Sequence, residues 1–291
     1  MGFTAQGPVR AIVEKVEQVS PSFRRITFGG PELFALGMDG PALDQRIKLI
    51  FPGAAGTLPE LQQRPDWYRE WLALPEAERG IMRTYSIRHL AQTVEHTRLS
   101  VDFVMHLGEG SSGPAADWAA RAQPGHEILI FGPHRGQPQL GVEFNPGRAR
   151  EVVLLGDETA APAIARVLED LQDSGLRGSA YIEVPEITDT PHIDAPSDFQ
   201  VHWLPREGQA PGARLLPALG GHLSEEPPTS EKDPELVWDT PTDPGEGTYY
   251  WIAGESGVVK QLRRNLVQGA GVNRGQIAFM GYWKLGVSMR G

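Results

Sequence analysis

The strongest constraint on this chain is a change of hydrophobic period near its middle. Up to residue 147 the apolar residues fall in short alternating runs: VRAIVEKVEQVS, FRRITFGG, QRIKLIFP, IMRTYSIRHL, HTRLSVDFVMHL and HEILIFGP. Alternation with period two buries one face of a strand. Pro-Ser, Gly-Gly-Pro and Pro-Gly punctuate the runs, as turns between strands do. From residue 148 the apolar runs become continuous, and amphipathic stretches follow them. EVVLLG is uniformly apolar, as a strand covered on both faces must be. GDETAAPAIARVLEDLQDSG reads as a turn and a helix ending at Gly175. SAYIEV, VHWLP, TYYWIAG and QIAFMGYW are further strands, and ESGVVKQLRRNLVQGAG is a helix with Ser256 as its expected cap. Strands alternating with helices imply a parallel sheet.

The predicted fold is therefore a β barrel plus an α/β unit. A six-stranded antiparallel barrel occupies 1–147, and a parallel-sheet nucleotide-binding domain occupies 148–291. The length of 291 residues suits two cores. Two helices are expected in the first half. Pro65–Pro75 carries Trp67, Trp71 and Leu74 on one face, and Gly113–Gln123 has Pro114 in its first turn.

Composition excludes several chemistries. There are no cysteines, which removes thiolate nucleophiles, disulfides and a Cys-held iron–sulfur cluster. Any redox chemistry must rest on a bound organic cofactor or a metal held by N and O ligands. The eight histidines show no H-x-x-x-H or H-x-H spacing. Segment 224–248 holds eight acidic residues, one lysine and five prolines, so it carries seven of the ten net negative charges. It reads as a solvated acidic loop rather than an element. A nucleic-acid partner, which wants a basic face, is not expected. No apolar run reaches membrane-spanning length and no signal-peptide pattern opens the chain, so the expected location is the cytoplasm. Nothing announces an interface, so a monomer is expected.

Five constellations carry chemistry. In RTYS, Arg83 and Tyr85 share one strand face and Thr84 and Ser86 the other. A guanidinium meets a pyrophosphate bidentately, a tyrosine ring can stack on an isoalloxazine, and the Ser86 hydroxyl or N–H can reach its N5 edge. The same residues equally fit an ordinary barrel strand. Next, DFVMHLGEGSSGPAADWA runs from a strand through a Gly/Ser loop into a helix N-terminus, where exposed N–H groups favour a phosphate. Gly113, Pro114 and Ala115 would sit at that anion site. Asp102, Phe103, Val104 and His106 would line the flavin edge, with His106 in a binding rather than an acid–base role. Third, GDETAAPAIA follows the first α/β strand without a G-x-G-x-x-G fingerprint. Asp157 and Thr159 are its candidates for the nicotinamide side, and a simple helix cap fits them as well. Fourth, AGESGVVKQLRRNL repeats the strand–turn–helix pattern with Gly254, Glu255 and Ser256 at the turn. Last, in GYWK, Tyr282 and Trp283 would cover a cofactor or finish a core.

Taken together, RGIMRTYSIR, DFVMHLGEGSSGPAADWAARAQPGHEILIFGP, LLGDETAAPAI, YYWIAGE and GYWKLG resemble, in order, blocks of the siderophore-interacting protein family of FAD-dependent ferric-siderophore reductases, within the ferredoxin–NADP reductase-like superfamily. The resemblance spans nearly the whole chain, and segment 224–248 is longer than it leads one to expect. It implies FAD on the barrel at Arg83, Thr84, Tyr85 and Ser86, continued by Asp102–His106 and Gly113–Ala115. It implies NADH or NADPH at Thr159 and the Gly254–Ser256 turn, and a ferric siderophore as substrate. Many ferric siderophores are anionic, so a cationic mouth is expected, with Lys48, Lys284 and Arg46 as its candidates. Glu183, Glu186 and Asp189 suit a ribose diol and favour NADH, while Arg206 pulls toward NADPH. Two other readings compete: another flavin-dependent reductase of the superfamily, with a flavin, ferredoxin or quinone acceptor, and a non-enzymatic flavin or siderophore carrier.

Overall fold

The computed structural model describes residues 6–105, 113–219 and 238–287. The chain forms two compact units that divide after Val142.

The first unit is an antiparallel sheet of seven strands: β1 (Val9–Ser20), β2 (Phe23–Gly29), β3 (Arg46–Phe51), β4 (Ile81–Ser86), β5 (His89–Gln92), β6 (Thr97–Val104) and β7 (Glu127–Phe131). Their order is β4-β3-β7-β1-β2-β6-β5. The two edge strands are consecutive in sequence and separated only by Ile87 and Arg88. Ile87 N donates to the Gln45 carbonyl and Arg88 N to the Ser100 carbonyl. Two residues can link opposite edges only if the sheet curls until those edges meet, so the unit is a barrel. This corrects the six-strand expectation. IMRTYSIRHL reads as one strand, but its middle steps from one edge of the sheet to the other.

Alternate residues of these strands fill the interior: Ala11 and Val13, Ile26 and Phe28, Ile47 and Leu49, Leu99, Val101 and Phe103, Ile128 and Ile130. The outer face is covered locally by α1 (Trp67–Ala73), followed by a short α2 (Glu76–Arg79). Trp67 and Trp71, one turn apart, pack on Ile50, Met82 and Leu129. The Trp71 indole donates to the Arg79 carbonyl at 2.7 Å, and the Arg79 guanidinium lies over the same ring. Leu74 falls at the C-cap, just past the helix. Helix α3 (Pro114–Arg121) packs against β4 and β6.

The second unit contains β8 (Glu151–Gly156), α4 (Ala161–Asp170), β9 (Arg177–Val184), β10 (Phe199–Pro205), α5 (Leu215–Ala218), β11 (Trp238–Asp239), β12 (Thr248–Glu255), α6 (Ser256–Arg264) and β13 (Ile277–Trp283). The sheet order is β10-β9-β8-β12-β13-β11, parallel except for the β11–β13 pair. The chain winds outward from β8 through β9 to β10, then returns to β12 on the other side of β8. The ends of β8 and β12 therefore flank the topological switch point, where open α/β sheets bind ligands. β11 is a correction to the loop expectation. Trp238 and Asp239 pair with Met280 and Phe279, and Trp238 stacks on Tyr282.

Candidate functional site

In the first unit the alternation of β4 divides RTYS between two faces. Tyr85 points to the interior, its ring 4.7 Å from that of Phe103, and Arg83 lies on the same side, half-buried. Phe103, Phe51, Phe28 and the α3 residue Trp118 form one aromatic layer. Burial raises the Tyr85 hydroxyl pKa and Arg83 opposes it, so Tyr85 stays neutral. Met82 faces out under Trp67 and Trp71, Thr84 is exposed on that outer face, and Ser86 is buried.

Helix α3 begins at Gly113 with no side-chain cap among the described residues, and Pro114 in its first turn has no N–H to satisfy. N–H groups that open a helix are chemically suited to a phosphate. A half-buried cation, an aromatic ring and the N–H donors of a helix start on packed elements fit the pyrophosphate and ring of FAD. The other expected contacts divide. Phe103 is a core residue and Val104 is half-buried. The Asp102 carboxylate points away from Phe103, into two hydrogen bonds from Arg25 at 2.6 and 2.8 Å, with Arg88 at 3.7 Å. His106 lies outside the described residues.

The outer face of the same barrel carries a cavity of about 410 Å³. Arg46, Lys48, Thr84, Phe131, His134 and Gln137 line it, and no described acidic residue does. Lys48 Nζ donates to Thr84 Oγ1 at 2.7 Å. Burial, then the neighbouring Arg46, lowers the Lys48 pKa. An ammonium with its charge so opposed gains most from an arriving anion. His134 Nδ1 donates to the Gly132 carbonyl at 3.0 Å, and burial lowers its pKa too. Sequence reasoning missed His134 and Gln137, because GPHRGQ carries no motif of its own.

In the second unit the structure gathers Asp157, Thr159, Gly254, Glu255 and Trp283 at the carboxyl ends of β8, β12 and β13. Asp157 is the hub. Its Oδ1 accepts from Thr159 N (2.9 Å) and Thr159 Oγ1 (2.5 Å). Its Oδ2 accepts from Glu255 N and Trp283 Nε1, both at 2.7 Å. Burial, then the nearby Glu158, pushes its pKa up to about 7. Gly254 sits at φ +143°, and a Cβ there would lie 2.5 Å from Asp157 Oδ2. Only glycine lets the carboxylate in. Glu255, not Ser256, caps α6: its side chain accepts from Gly257 N and Val258 N, while Ser256 Oγ donates to the Trp283 carbonyl. Tyr282 packs between Trp238 and Trp251, and Lys284 is exposed.

Arg206 and Glu183, two of the residues weighed for cofactor choice, have internal duties. Arg206 donates to both oxygens of Glu158 at 2.6 and 2.8 Å and approaches Glu183 at 3.4 Å. Glu183, fully buried, also accepts from Gly212 N, Arg214 N and Leu215 N, and so caps α5. Burial alone would lower the Arg206 pKa, but Glu158, Glu183 and Asp157 hold it above its ordinary value. Asp189 is fully buried as well. Of the three acidic residues expected to favour NADH, Glu183 and Asp189 are thus internal, and Glu186 is the one left exposed.

Comparison with known proteins follows the same division into two units. Residues 12–137 match the family model "Siderophore-interacting FAD-binding domain", and residues 149–286 match "Siderophore-interacting protein". An uncharacterised protein of Mycobacterium tuberculosis is 32% identical over 94% of this chain and 89% of its own length. The NADPH-dependent ferric-chelate reductase of Escherichia coli is 29% identical over 87% of this chain and 84% of its own. Among solved structures, a siderophore utilization protein from T. fusca superposes with a TM-score of 0.71 at 29% identity, covering 98% of this chain and 97% of that one. A barrel followed by a sheet wound about a central switch point defines the class, a two-unit flavin reductase fold. The chain belongs to the siderophore-interacting protein family.

Proposed function

We propose that this chain is an FAD-dependent reductase that carries electrons from NAD(P)H to ferric siderophores and releases Fe(II). The observation that carries the reading is the pairing of Arg83 and Tyr85 on one strand face with the N-terminal start of α3, which packs against that strand. Arg83 would grip the pyrophosphate, with the N–H groups after Gly113 and Pro114 sharing its charge. Tyr85 would lie against the flavin ring, and Thr84 and Ser86 would border it. When bound, FAD takes a hydride from the nicotinamide and passes electrons singly to Fe(III), which supplies the redox chemistry that a chain without cysteine lacks. Thr159, Gly254 and Glu255 mark the edge where the nicotinamide donor would dock. Lys48 and Arg46 give the cavity on the barrel a cationic lining suited to an anionic chelate, and Lys284 adds an exposed cation on the second unit.

The ferric siderophore comes to this chain from its family and from the names of its relatives. Work in the cytoplasm as a monomer, without nucleic acid, belongs to the same proposal. The acidic balance supports the last point. No helix among the described residues is long and apolar enough to cross a membrane.

Two substitutions test the assignments. Arg83→Ala should weaken FAD about tenfold or more, the scale of lost hydrogen bonds to a charged group, read as flavin absorbance per protein after gel filtration. Unchanged occupancy would remove Arg83 from the phosphate site. Lys48→Glu should raise KM for anionic ferric chelates by roughly tenfold while a neutral chelate changes little. Equal effects on both would contradict an electrostatic role for the cavity.

A further inference from the structure

The Asp157 carboxylate receives four hydrogen bonds from three separate segments. Thr159 N and Oγ1 belong to the turn after β8, Glu255 N to the last residue of β12, where α6 begins, and Trp283 Nε1 to the end of β13. Two carboxylate oxygens offer about four lone-pair sites, so the acceptor is saturated. Asp157 is buried and Trp283 is 126 residues away in sequence. Gly254 lacks the Cβ that would strike the carboxylate. A group so filled from within has no acceptor capacity left for a nucleotide. Its work is to hold the segments together.

We propose that Asp157 is a positioning residue that locks the β8–α4 turn, the β12–α6 junction and the Trp283 indole into the single arrangement on which the nicotinamide donor docks. The inference rests on the reading of this edge as the donor site. It moves Asp157 from the candidate cofactor contacts to the frame beneath them.

The charged groups around the carboxyl are Glu158 beside it, Arg206 paired to Glu158, Glu183 at the end of β9, and Glu255, whose side chain is turned to the start of α6. The pKa of about 7 gives the clamp a direction in pH. Above that value the carboxylate is ionised and accepts all four bonds. Below it one oxygen carries a proton and must release a donor, so the clamp loosens as pH falls. The folded value exceeds that of the unfolded chain. The associated stability is therefore fully present below the unfolded value near 3.8 and is lost as pH rises through about 7. Tighter positioning and lower stability thus arrive together.

The test uses the intact flavoprotein. The chain has seven tryptophans, so the indole N–H region of a nitrogen–proton correlation spectrum is readable, and the Trp283 signal is the one missing in Trp283→Phe. Asp157→Asn keeps the shape but turns an NH2 group toward one pair of donors. The expected result is a displaced Trp283 signal and a KM for NAD(P)H raised about tenfold, the usual loss for a hydrogen bond to a charged group, with bound FAD unchanged. In the wild type that signal should shift through a midpoint near pH 7, and KM should rise below it. Both pH dependences should vanish in Asp157→Asn. An unmoved Trp283 signal, or a displaced signal with unchanged KM, would overturn the proposal. Should Asp157→Asn not fold, Trp283→Phe carries the kinetic test: a raised KM supports the clamp and an unchanged one removes it. If NAD(P)H leaves the wild-type flavin oxidised, the donor reading falls, and the indole signal still decides whether the clamp exists.

Discussion

Replacing Arg206 with methionine is expected to destabilise the second unit by about 3–5 kcal/mol, the range for breaking a buried ion pair from one side. Among the described residues, the side chain it removes is the one ionic partner of Glu158 and Glu183, which are 1% and 0% exposed. Methionine fills the space and leaves two carboxylates without a counter-charge. On a unit of this size the loss corresponds to roughly 10 °C or more in Tm. The variant that discriminates is the double one. Adding Glu158→Gln to Arg206→Met should recover part of the loss, because it removes one buried charge and keeps the volume. A double variant no more stable than Arg206→Met would show that packing, not charge, accounts for the effect. This triad also separates framework from recognition: its members cannot read a ribose while they are tied to one another.

Gly254→Val should have the second large effect. The new Cβ would lie 2.5 Å from Asp157 Oδ2 and 2.7 Å from Asp157 Cγ, at a φ of +143° that a β-branched residue does not tolerate. Neither the carboxylate nor the strand end can give way without breaking the bonds to Glu255 N and Trp283 Nε1. A cost of about 2–4 kcal/mol follows, from backbone strain together with the broken buried network. The donor edge should fail with it, with KM for NAD(P)H up by more than tenfold while bound FAD is retained. Gly254→Val with wild-type melting and wild-type KM would mean the carboxylate needs no close approach there.

Much of the architecture was written in local pattern. The switch from alternating to continuous apolar runs marks the two kinds of sheet because burial on one face and on two faces demands different sequences. RTYS, the Pro114 helix start and the GDETA turn likewise announce themselves within a few residues. The rest depends on partners far apart in the chain. β5 was hidden because Ile87 and Arg88, which step between sheet edges, carry strand-like side chains. β11 was hidden because Trp238 and Asp239 lie in an acidic, proline-rich stretch and pair with β13, about 40 residues on. Ser256 looked like the cap of α6 by residue type, but the longer Glu255 side chain folds back to the N–H groups of Gly257 and Val258. Glu183 looked like a ribose ligand because nothing local shows that Arg206, 23 residues on, would claim it. The Asp157–Trp283 bond joins two motifs that read as separate constellations.

The central claim, transfer of electrons from NAD(P)H to siderophore-bound iron, is tested most directly without oxygen. The flavin of the purified protein is reduced with NADH or NADPH, then a ferric siderophore and a ferrous chelator are added, and the flavin band is followed. The account predicts reoxidation matched by ferrous-chelate colour, two irons for each flavin fully reduced. A flavin that stays reduced beside intact ferric catecholate and ferric hydroxamate complexes would contradict it, and would leave a reductase for another acceptor or a carrier in its place.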